Sequence, residues 1–95
     1  MAEIIVDTTS SSSGGWIFQV SVRDGGGETK HKVRMSKDYY QRLSQGKVPP
    51  DEFVRRSFQF LLERESKESI LGEFDMPKIT FYFSEYEAEI AKRLG

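Results

Sequence analysis

Residues 30–65 read KHKVRMSKDYYQRLSQGKVPPDEFVRRSFQFLLERE. The segment opens with basic residues alternating with less polar ones, the pattern of a strand with one solvated face. It closes on Phe, Leu and Val at spacings of three and four, the pattern of a buried helix. A half-exposed strand followed by so apolar a helix makes an α+β domain the expected class.

The helical half carries more information. Pro50 suits a first helical turn, and Asp51 and Glu52 suit the positive end of the helix dipole. Over 51–65 the order round the helix is Phe60, Phe53, Ser57, Leu61, Val54, Phe58, Leu62. These positions span roughly 200°, about twice the stripe of a one-sided surface helix. One flank is expected on the sheet. The other needs a second neighbour, either another chain or the C-terminal helices of this one. Phe53, Phe60 and Leu62 are therefore the candidate interface residues.

Working outward, Ser36 suits the N-cap of a helix over 37–45, with Tyr39, Tyr40 and Leu43 inside and Gly46 ending it. Upstream, Glu3 to Thr8 reads as a strand, and 9–15 as a flexible Ser/Gly loop. From 16 to 23 the chain alternates, with Trp16, Phe18, Val20 and Val22 on one face. Asp24-Gly25-Gly26-Gly27 then supplies a hairpin turn. The next strand, 29–35, turns His31, Val33 and Met35 inward and Lys30, Lys32 and Arg34 outward.

Downstream, Ser66 is placed to cap a helix over 67–74 that buries Ile70, Leu71 and Phe74. Lys78 to Phe83 fits a strand or a helical turn, and the turn is favoured because the stretch runs straight into a helix. Ser84 and Glu87 match a capping box for a last helix over 85–94, on which Glu89 and Arg93 are spaced for an ion pair. The expected fold is a single α+β domain, 1–95. A three-stranded antiparallel β-meander (about 3–8, 16–23, 29–35) precedes three to four helices (about 37–45, 51–65, 67–74, 85–94).

Composition narrows the function. Of the 95 residues, 31% are charged and 13% aromatic, which suits a folded chain rather than a disordered one. There is no cysteine, so disulfides and thiolate chemistry are excluded and a cytoplasmic location is expected. MAEIIVDTTSSSS lacks the basic leader and apolar core of a signal peptide. No stretch approaches the roughly 20 apolar residues of a membrane span, so no membrane partner is expected.

The single histidine, His31, has no recognisable nucleophile or orienting carboxylate in the sequence, and one histidine without cysteine cannot build a usual zinc site. The glycine run joins strand to strand, whereas phosphate-cradling loops lead into a helix. Glu85, Glu87 and Glu89 spread round a helix rather than converging. No catalytic residue, metal, cofactor or small-molecule ligand is expected.

The net charge is −1, unevenly spread: −2 over 1–22, +4 over 23–48 and −3 over 49–95. Lys30, Lys32 and Arg34 share one side of their strand. That row is either a solvated or aggregation-resistant surface or a contact for nucleic acid or another anion.

Two resemblances bear on the choice. Val33-Arg34-Met35-Ser36-Lys37-Asp38-Tyr39-Tyr40-Gln41-Arg42-Leu43 resembles the strand-to-first-helix junction of ribbon-helix-helix DNA-binding proteins, and Glu52-Phe53-Val54-Arg55-Arg56-Ser57-Phe58-Gln59-Phe60-Leu61 resembles their second helix. Those proteins pair strands between two chains and insert the ribbon into the major groove. The resemblance implies that Lys30, Lys32 and Arg34 face DNA and that the broad arc of the second helix forms a dimer core. It covers about a third of the chain. Against it stand the short, proline-bearing connection before Glu52 and the two acids, Asp51 and Glu52, where a phosphate would approach.

Over its whole length the chain is similar to small bacterial proteins of unassigned function that share V-x-[MV]-S-x-x-Y-x-x-L-x-x-G-x-V-P-P-[DE]-E-[FL]-V-x-x-S-F-x-F-L-L-E-R-E, which implies no activity. The expected function is a non-catalytic, self-associating interaction or regulatory module with a protein partner or a second copy. DNA binding by strand 30–34 is the alternative, and a small enzyme a distant third.

Overall fold

The computed structural model describes residues 2–94. Strands β1 (Glu3–Ser12), β2 (Gly15–Asp24) and β3 (Gly27–Ser36) form an antiparallel meander, and a short β4 (Glu73–Asp75) joins beside β3 in parallel. The sheet order is β1-β2-β3-β4. Helices α1 (Lys37–Ser44) and α2 (Pro50–Leu62) follow β3, and α3 (Ile79–Tyr82) and α4 (Tyr86–Leu94) follow β4. The α+β class and the meander are as the sequence leads one to expect.

Three segments differ. Residues 9–12, expected in a loop, extend β1, with a register shift between Thr8 and Ser10 and the Thr9 hydroxyl donating to the Ile17 carbonyl at 3.1 Å. Strand pairing needs only backbone groups, and the ten-residue β2 offers them along its whole length. At Gly15 the β2 and β3 backbones leave no room for a side chain, since a Cβ there would overlap the Met35 carbonyl oxygen.

Secondly, 67–74 is not one helix. A 3₁₀ turn over Lys67–Ser69 gives way to extended chain, and the Lys32 amide donates to the Gly72 carbonyl at 2.8 Å. That bond draws the chain onto the open edge of β3, where Phe74 lies opposite Val33 and packs its ring 6.1 Å from Phe58. Thirdly, Glu87 does not close a capping box; its carboxylate accepts from the Tyr39 hydroxyl at 2.9 Å. Arg93 likewise pairs with Glu63 at 2.6 Å instead of with Glu89.

The helix ends obey local chemistry elsewhere. The Ser36 hydroxyl accepts from the Tyr39 amide at 3.1 Å, and α1 ends through Gln45 and Gly46, both at positive φ. Pro50 opens α2 with Asp51 and Glu52 in its first turn.

The breadth of α2's apolar arc is satisfied within the chain. Phe58 faces the sheet with its ring 5.4 Å from His31, while Phe53 meets Tyr39 and Tyr40 of α1. Phe60 meets Tyr86 of α4 and Phe83 at 5.3 and 6.0 Å. Phe53 and Phe60 are fully buried, so they are core residues and not interface residues, and Leu62 is half-buried against the same core. The second neighbour of α2 is the chain's own C-terminal segment.

Candidate functional site

The basic row lies on the sheet face away from the helices, as expected, but one of its three cations is already paired. Arg34 grips both acids of β4, through Nε to Asp75 at 2.6 Å and through Nη1 to Glu73 at 2.7 Å. The hydrogen bond to Arg34 holds the Glu73 carboxyl below the usual carboxylate range. Lys30 and Lys32 form no ion pair among the described residues, and stand opposite Ser21 and Gln19 of β2. With β2 on one side and β4 on the other, β3 has no free edge along 32–34. A ribbon paired with another chain's β3 needs that edge.

The acid–apolar–acid triplet Glu73-Phe74-Asp75 against Lys32-Val33-Arg34 was the signal that could have revealed β4. It is a charge-matched register with a shared inward residue.

His31 is buried and structural. Its Nδ1 donates to the Leu71 carbonyl and its Nε2 pairs with the Thr29 hydroxyl, both at 2.8 Å. The buried hydroxyls are likewise engaged. Ser57 donates to the Phe53 carbonyl at 2.9 Å and pairs with the Tyr86 hydroxyl at 2.7 Å. Burial raises the Tyr39 and Tyr86 phenols well above their ordinary range, which makes them poor bases or nucleophiles. Among the described residues no three His, Cys, Asp or Glu side chains converge on a metal position, and no buried side-chain polar atom lacks a partner.

A further feature is apolar. The three large hydrophobic side chains most exposed among the described residues are Leu71, Phe81 and Tyr82, at 41%, 76% and 60%. Leu71 and Tyr82 line one cleft between the loop before β4 and α3, and Phe81 precedes Tyr82 on that helix. Helical geometry explains the exposure. A strand would have put Ile79, Phe81 and Phe83 on one side, but in α3 Ile79 turns inward and Phe81, two residues on, points about 200° away.

Between α3 and the loop before β4 lies a cleft with a cavity volume of about 80 Å³, lined by Leu61, Ile70, Leu71, Phe74, Ile79 and Tyr82 and edged by Glu65 and Lys78. Small-molecule sites run to about 300–1,000 Å³; this one has room for a single side chain. The Lys78 ammonium lies 4.7 Å from the centre of the Phe81 ring. Burial raises the Glu65 carboxyl above its ordinary range, and no cation pairs with it among the described residues. From the sequence Leu71 is expected in the core, and no local pattern marks Phe81 or Tyr82 for exposure.

Comparison of the chain with protein families, with curated proteins and with solved structures gave no match. Among the described residues no helix is long and apolar enough to cross a membrane.

Proposed function

We propose that this chain is a non-catalytic interaction module, working in the cytoplasm, whose contact surface is the α3 face around Leu71, Phe81 and Tyr82. The observation that carries this reading is that the exposed Leu71 and Tyr82 line an apolar cleft, with the exposed Phe81 adjoining it through Lys78, which lines the same cleft and lies 4.7 Å from the Phe81 ring centre. Single exposed hydrophobics are ordinary, whereas a contiguous group round a concavity marks a surface built to be covered by protein. Proton transfer or nucleophilic attack would require a reactive group held near a base, and His31 and the buried tyrosines are committed to structural hydrogen bonds. The DNA-binding alternative loses support because Arg34 is occupied by Glu73 and Asp75.

Site-specific photo-crosslinking in living cells tests the reading. A photoreactive residue at position 81 or 82 is expected to trap protein, while one at Gln19, on the open face of the sheet, is expected to trap little. Crosslinks concentrated at Gln19, or to nucleic acid, would overturn it.

A further inference from the structure

We infer that the partner on the α3 face is a second copy of this chain, in a two-fold pair where each Phe81 enters the other's cleft and each Lys78 meets the other's Glu65. The inference rests on the interaction reading above and specifies the occupant.

The cleft sets the requirements. Its cavity of about 80 Å³ is apolar and takes one bulky side chain, and its edge carries a carboxylate with no cation of its own. The matching ligand is an apolar knob with a positive charge beside it. α3 presents that combination: Phe81 is 76% exposed and the Lys78 ammonium rests 4.7 Å from its ring centre.

The charge pattern makes the fit specific. Between residues 61 and 85 the other ionised side chains are already in ion pairs. Glu63 is held by Arg93 at 2.6 Å, Arg64 by Glu85 at 3.1 Å, Lys67 by Glu68 at 2.7 Å, and Glu73 and Asp75 by Arg34. Glu65 and Lys78 alone are left over in that stretch, one of each sign. They line the same cleft without lying within ion-pair distance of each other. A surface carrying a knob, a hole, a free anion and a free cation is self-complementary under a two-fold axis, because residue i meets j and j meets i. The two copies then satisfy both pairs at once.

Sedimentation equilibrium of the full chain over a wide concentration range tests the pairing. The wild type is expected to show a reversible monomer–dimer equilibrium, and Phe81→Glu to remain monomeric throughout. Glu65→Lys and Lys78→Glu each turn both cross-chain attractions into repulsions, which should weaken the dimer about tenfold. An equimolar mixture of those two variants restores opposite charges at both contacts, so it should form a heterodimer tighter than either parent dimer.

Thermal melting of each variant guards against unfolding, and Phe81→Ala serves as a second knob deletion should Phe81→Glu not fold. A wild type that stays monomeric, a dimer indifferent to Phe81, or a mixture no tighter than its parents would each overturn the pairing. A monomeric wild type together with crosslinks from position 81 to another protein removes the two-fold pair and leaves the interaction module standing. Absence of any protein crosslink at 81 or 82 removes the module itself.

Discussion

Truncating Phe60 to alanine tests whether the second flank of α2 belongs to the fold or to a partner. The Phe60 side chain is fully buried, with the Tyr86 and Phe83 rings 5.3 and 6.0 Å from its own and the Arg64 guanidinium carbon 3.7 Å above it. Removing a buried phenylalanine costs about 3–5 kcal/mol, through lost transfer free energy and the cavity left behind. The two edge-on ring contacts, each about 0.5–1.5 kcal/mol beyond area burial, place this site in the upper part of that range. A domain of this size is stable by about 5–15 kcal/mol, so the variant stands near the edge of unfolding.

Urea denaturation followed by Trp16 fluorescence is the suitable assay. The chain's one tryptophan packs edge-on against Tyr40, 5.2 Å away on the β2–α1 side, and so reports global unfolding instead of repacking at α4. The loss should be the same at low and high protein concentration. A loss under about 1 kcal/mol, or one that appears only where the chain self-associates, would mean that Phe60 is covered by a partner and that the intramolecular core is misassigned.

Phe58→Ala, which empties the space between α2, His31 and Phe74, should cost a similar 3–5 kcal/mol; a cost under 1 kcal/mol in the same titration would count against α2 lying on the sheet. Lys67 is 4% exposed and bridges Asp24 of the β2–β3 turn and Glu68 at 2.8 and 2.7 Å. Lys67→Met should therefore speed hydrogen exchange at the Gly26 and Gly27 amides, and unchanged protection would deny the clamp.

Arg93 and Arg34 hold the Glu63 and Glu73 carboxyls below their ordinary 4.5. Folded values below unfolded ones give stability that is present above that pH and lost as pH falls through the folded values. Melting temperature should drop on acidification below about pH 4.5, and less so in high salt; a flat profile would refute this. Duplex DNA should produce no salt-dependent anisotropy change, and binding abolished by alanine at Lys30 and Lys32 would restore the ribbon reading.

Much of the architecture was legible locally. Alternation in 16–23 and 29–35, the glycine turn between them, the Ser36 cap, the stop at Gly46 and the prolines at the start of α2 each act over a few residues, so short-range chemistry is enough to read them. Even the need for two neighbours around α2 was visible in its arc. What covers the second flank was not, because Phe60 meets Phe83 and Tyr86 more than twenty residues away. A solvent-excluding partner has the same sequence signature whether it comes from this chain or another.

β4 illustrates the same limit. Ile70, Leu71 and Phe74 are spaced as well for a helix as for what forms, and the deciding contact is the amide of Lys32, forty residues upstream of Gly72. That contact also changes the meaning of the basic row. The sequence by itself determined that Lys30, Lys32 and Arg34 share a face, because a strand alternates its side chains. Only the tertiary structure decided that Arg34 is spent on Glu73 and Asp75, and that the exposed apolar surface lies at Phe81 instead of on α2. Both outcomes depend on which distant segments pack together, and packing free energy is shared among partners that no local pattern identifies.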